Sequence, residues 1–67
     1  MAVAMSDVEA WARTEEWREL TEPMLAAKSR AELYEASRPL AAATAEKGEE
    51  GRLAMALFRL LHGRLPS

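Results

Sequence analysis

The apolar positions of residues 51–63 follow a helical period. Leu53, Leu57, Leu60 and Leu61 stand at i, i+4, i+7 and i+8. Ala54 and Phe58 widen that face on one flank, and Met55 and Ala56 widen it further. Only Arg52, Arg59 and His62 are polar, and a helix with so narrow a polar stripe has to be covered on most of its sides. In a chain of 67 residues, either the rest folds tightly around this helix or another chain helps.

Upstream, the pattern predicts a short helix over about 7–13 and main helices over about 15–28, 30–47 and 50–62. Ser6-Asp-Val-Glu9 and Ser29-Arg-Ala-Glu32 both read as capping boxes that start helices. Val8 and Trp11 share one side, whereas Trp17 and Leu20 lie roughly 120° away at 100° per residue. Thr14-Glu15-Glu16 therefore reads as a restart, with Thr14 as N-cap. Trp17, Leu20, Met24 and Ala27 keep helical spacing across Pro23. Leu33, Ala36, Ser37, Leu40 and Thr44 keep it across Pro39. A proline inside a helix removes one backbone bond and clashes with the preceding turn. The expectation is thus a kink or a break at each, with Thr21 as N-cap of any restart before Pro23. Gly48 is expected as a helix-ending residue of positive φ. Gly63, followed by Pro66, is expected to end the last helix, and residues 1–5 and 64–67 are expected to be tails.

These elements predict an all-α fold, a small three- or four-helix bundle in one domain over 1–67, with antiparallel neighbours joined by short loops. The predicted core is Trp17, Leu20, Met24, Leu25, Leu33, Leu40, Leu53, Leu57, Phe58, Leu60 and Leu61. The two halves of the chain do not align in their apolar positions, so a helical repeat is rejected.

Composition strengthens the helical reading. Ala, Leu, Glu and Arg abound, and β-branched residues are few. A chain this short buries only about 60% of its unfolded surface, so its stability is marginal. Small proteins usually add disulfides, a metal or a partner. There is no Cys and one His, so thiolate and His-rich metal sites are excluded, no cofactor is expected, and a partner is the remaining device. The size, the Ala/Arg/Glu-rich composition and the capping-box helices resemble those of many small accessory proteins of high-GC bacteria, a likeness that carries over no site residues. Residues 1–5 lack the basic and apolar regions of a signal peptide, and no charge-free stretch approaches the ~20 residues of a membrane span. Together with the lack of Cys, this makes the cytoplasm the expected compartment.

The formal charge of −2 is unevenly spread. Residues 1–50 hold all eleven acids against six Lys/Arg; residues 51–67 hold Arg52, Arg59 and Arg64 and no acid. Dipole complementarity accounts for this, acids at helix starts and Arg at the last helix end; head-to-tail association of opposite charges is the functional alternative.

Residues able to carry chemistry are few. His62 has neither a nucleophile nor a carboxylate near it in sequence. Glu15/Glu16 and Glu49/Glu50 are adjacent on helices, so each pair diverges instead of converging on one atom. No Ser lies in a nucleophile elbow, and Gly48-Glu-Glu-Gly51 has acids where a phosphate loop needs Lys and Ser/Thr. The chain is therefore expected to be non-enzymatic, an interaction module that self-associates as a homo-oligomer or binds a larger protein. Trp11, Met55, Leu57, Phe58 and Leu65 are the candidate interface residues, Trp11 because Trp17 fits the core better. Tyr34, beside Arg30 and Arg38, is read as a packing residue. A DNA-binding regulator using 29–38 as its recognition helix is a weaker reading, since Glu32 and Glu35 would face phosphates and the protein is acidic. An acidic inhibitor or antitoxin-like protein acting through Glu15, Glu16, Glu19 and Glu22 is the third.

Overall fold

A computed structural model describes residues 5–66. Four helices hold all its regular structure: α1 (Met5–Ala12), α2 (Glu15–Ala26), α3 (Arg30–Thr44) and α4 (Gly48–Arg64). The fold is the expected all-α bundle. α4 packs against all three other helices, and α2 packs against α1 and α3. α1 and α3 make no close approach among the described residues. The start of α3 meets the end of α4 where the Arg30 Nε–H donates to the His62 carbonyl at 3.1 Å. The end of α3 meets the start of α4 at Thr44 and Gly51, so these two helices run antiparallel.

The helix starts are partly as expected. The Ser29 hydroxyl accepts from the Glu32 amide at 3.2 Å and caps α3. Thr14 has the extended backbone of an N-cap, but its hydroxyl donates to the Trp11 carbonyl at 2.7 Å instead of capping α2. α1 already includes Met5, so Ser6 lies inside its first turn; Met1–Ala4 and Ser67, expected as tails, lie outside the described residues. Both acid pairs stand in the first turns of their helices, where the dipole favours them.

Neither proline breaks its helix: α2 runs through Pro23 and α3 through Pro39. Each lacks the N–H that would bond the carbonyl four residues back, at Glu19 and Glu35. All four residues lie on the exposed sides of their helices, where a carbonyl without a backbone partner costs least. Thr21 consequently starts nothing. It lies fully buried inside α2, and its hydroxyl donates to the Ala12 carbonyl at 2.5 Å, satisfying the last turn of α1. Gly48 and Gly63 are not helix stops either, and no described glycine takes positive φ. α3 ends at Thr44, whose carbonyl accepts the Lys47 amide at 3.0 Å, and Gly48 is already the first residue of α4. α4 continues through Gly63 to Arg64 and stops where Leu65 becomes extended ahead of Pro66.

The buried core is Val8, Ala12, Trp17, Met24, Leu33, Leu40, Ala54 and Leu57, with Thr21 and Thr44. Expected core residues Leu20, Leu53, Phe58, Leu60 and Leu61 are half-buried, and Leu25 is exposed. Ala12, Ala54 and Thr44 take inner positions because the helices approach too closely for larger side chains. Gly51 marks one close approach of α3 and α4: a Cβ there would stand 3.0 Å from the Thr44 carbonyl oxygen.

Two outcomes follow from this packing. Thr21→Val keeps the shape but leaves the Ala12 carbonyl unpaired, and chemical denaturation should show a loss of about 1–2 kcal/mol. Gly63→Ala, in open space within a helix, should be neutral or stabilise by up to about 0.5 kcal/mol. Gly51→Ala should instead destabilise despite the same gain in helix propensity, because backbone has to yield.

Candidate functional site

Three places on the bundle hold the expected interface residues, and they do not form one patch. The first is the junction of α1, α2 and α4. Trp17 is buried there, and its Nε1–H donates to Glu50 Oε2 at 3.1 Å. Lys47 Nζ lies 5.6 Å from the Trp17 ring centroid and 3.9 Å from Glu50 Oε1. Trp11 is half-buried beside them, its ring 5.5 Å from that of Trp17 and tilted by 38°. Both indoles thus pack within one chain. They differ in their polar ends, since Trp11 Nε1 is buried with no partner. Trp11 also walls a shallow cleft with Lys47, Gly48, Glu49, Glu50 and Leu53. The Trp17–Glu50 bond was not foreseen; a Glu in the first turn of a helix reads as a dipole partner, and only the fold brings an indole to it.

The second place is the core itself. Leu57 is 1% exposed and cannot reach a partner while the bundle is intact, so its assignment to an interface is corrected. Leu65, half-buried, packs against the core from beyond the end of α4.

The third place is the furrow between α3 and α4. It encloses about 420 Å³, with Met24 and Leu40 as floor and with Ser37, Ala41, Met55 and Phe58 among its walls. Helical spacing explains the arrangement. Ser37 and Ala41 stand on the flank of α3 that turns to α4, and Arg52, Met55 and Arg59 share the outer stripe of α4 at i, i+3 and i+7. Met55 is 58% exposed. Tyr34 is 63% exposed, and its ring meets Phe58 edge-on at 5.3 Å; Phe58 in turn lies 5.6 Å from the His62 ring. The reading of Tyr34 as a packing residue therefore describes only its inner edge. Lys47 and Arg52 are the charged residues lining the furrow, and no carboxylate does. Sequence reasoning named Met55 and Phe58 but missed this setting. The available signal was that the polar stripe of α4 carries one large apolar residue, Met55, between two arginines.

Other chemistry finds little support. Among the described residues no three His, Asp or Glu side chains gather to hold a metal ion, and no helix is long and apolar enough to cross a membrane. The candidate recognition helix is packed between α2 and α4, with Leu33 and Leu40 buried. Arg30 is spent on the His62 carbonyl, and Arg38 pairs with Glu35 at 3.4 Å. The acids Glu15, Glu16, Glu19 and Glu22 are exposed along α2.

The two tryptophans give a direct comparison. Trp17→Phe removes the donor to Glu50 and should cost about 1–2 kcal/mol more than Trp11→Phe, which removes an unpaired N–H. Urea titrations of the two variants read the difference; equal losses would mean that the Glu50 bond contributes nothing. The chain matches no family model, no curated protein and no solved structure, so its own residues alone bear on function.

Proposed function

We infer that this protein is a small non-enzymatic interaction module that binds a protein partner across its α3–α4 face. The observation that carries this reading is an apolar furrow walled by the exposed Met55, with the exposed Tyr34 packed edge-on against Phe58 of the same wall, in a chain with little apolar area to spare. Methionine and tyrosine suit such a role. Met adapts to irregular surfaces, and Tyr presents an apolar body with a polar tip. The bundle supports the furrow from beneath with Met24 and Leu40, both 1% exposed, so the surface is held ready and not formed on binding.

The apolar side of α4 gives less support to obligate self-association than its sequence suggested. Ala54 and Leu57 are buried by the chain's own helices, and Leu53 and Leu61 pack against that core. The expected cytoplasmic setting fits the lack of cysteine. A second reading, the acidic inhibitor, has one feature in its favour: the exposed glutamates of α2 belong to none of the ion pairs among the described residues.

Site-specific photo-crosslinking in cells checks the reading. A benzophenone side chain placed at Met55 should give a discrete adduct of fixed mass, whereas the same group at the exposed Ala10 of α1 should give none. Equal labelling at the two positions, or adducts only from a probe at Glu19, would sink the α3–α4 face as the binding surface.

A further inference from the structure

The charge around the furrow names the class of partner. Resting on the reading of α3–α4 as a binding face, we propose that the occupant is an amphipathic helix of a different protein whose apolar ridge is flanked by acidic residues. The furrow runs between two antiparallel helices and has small walls, Ala41, Ala45, Gly48 and Gly51, so a third helix can lay a ridge of side chains into it at i, i+4 and i+7. Its volume of about 420 Å³ suits several aliphatic side chains.

The rim selects the flanks. Arg52 and Arg59 are exposed, stand either side of Met55, and lie roughly 10 Å apart along the axis of α4. Neither belongs to an ion pair among the described residues. Lys47, the second cation of the lining, pairs with Glu50 at only 3.9 Å, its side chain about half exposed. Such a pair is worth little and is readily exchanged for a partner carboxylate. No Asp or Glu lines the furrow, although the chain carries eleven acids. The protein is acidic overall and presents its opposite sign here.

A second copy does not fit as well. A two-fold dimer centred on Met55 with antiparallel α4 helices would set the Arg52 of each copy against the Arg59 of the other. A head-to-tail contact could offer Glu15, Glu19 and Glu22 of α2, but beside that stripe stand Pro23, Ala26 and one large apolar side chain, Leu25, which is too little to fill a furrow that takes several. Lys47 and Arg52 on the lining, with Arg59 one turn beyond Met55, are also few cations for a phosphate backbone, which rewards many.

The test uses the full chain and a synthetic amphipathic helical peptide of about 18 residues, five turns, labelled with fluorescein. Leucines form its ridge, and its flanks are Glu, Gln or Lys in three versions. Anisotropy titrations should show the Glu peptide binding at least about tenfold tighter than the Gln peptide and the Lys peptide not binding, with the preference shrinking as salt rises. R52E/R59E should reverse the order of the Glu and Lys peptides; should that variant fail to fold, the peptide series on the unaltered chain decides alone. Equal binding of the Glu and Gln peptides, lost in M55E, overturns the acidic partner while keeping the binding face. No binding of any peptide overturns both, as does sedimentation with phosphatidylserine vesicles or retention on duplex DNA; a dimer in light scattering that R52E/R59E disperses overturns the acidic partner while keeping the binding face.

Discussion

Covering α4 is the constraint on which the structure turns. Its apolar residues spread over more than half of its circumference, and one neighbour could not shield them. α3 closes one side, α1 the other, and α2 lies beneath them. The small residues of the core follow from this requirement. Gly51 and Thr44 let α3 and α4 come together at one end, while Arg30 reaches the His62 carbonyl at the other. α1 has only eight residues, too few for a stable isolated helix. It is held by Val8 and Ala12 in the core and by the buried Thr21 hydroxyl on its last carbonyl. At this size the bundle has little stability to lose, so such single contacts carry weight.

The parts of the fold that local rules govern were legible in the residues. The Ser29 cap, the acid pairs at helix starts and the four helices themselves are set by short-range physics. The errors came where tertiary geometry decides. Pro23 and Pro39 looked disruptive because periodicity does not reveal that each sits, with the residue four before it, on an exposed side of its helix. Gly48 and Gly63 looked like stops because glycine is usual there, yet the α3 turn closes through Lys47 and Thr44 with no positive φ. Counting large apolar residues favoured Leu25 and Leu60 over Ala12, Ala54, Thr21 and Thr44. The inner positions go to side chains that fit a close crossing, and hydrophobicity alone cannot rank them.

The interaction face was legible only in fragments for a related reason. Met55 and Phe58 could be placed on α4, and Tyr34 on α3, but a surface shared by two helices depends on their relative rotation. That rotation is fixed by the buried set Leu33, Leu40, Ala54 and Leu57. Once it is fixed, Phe58 is caught between Tyr34 and His62, and Met55 is left outside. Half-buried Phe58 therefore both supports the bundle and lines the furrow.

The same rotation gives the uneven charge a spatial meaning. Along the chain, acids precede and arginines follow, which dipole complementarity explains for Glu15, Glu16, Glu49, Glu50 and Arg64. It does not explain Arg52, the fifth residue of α4, nor Glu22, the eighth of α2, since both lie beyond the terminal turns where the dipole acts. Both are exposed and project from outer stripes. Neither belongs to an ion pair among the described residues, so no partner within the bundle accounts for either charge. Such a charge has a use when something outside the bundle meets it, and Arg52 is the one that stands beside an apolar furrow.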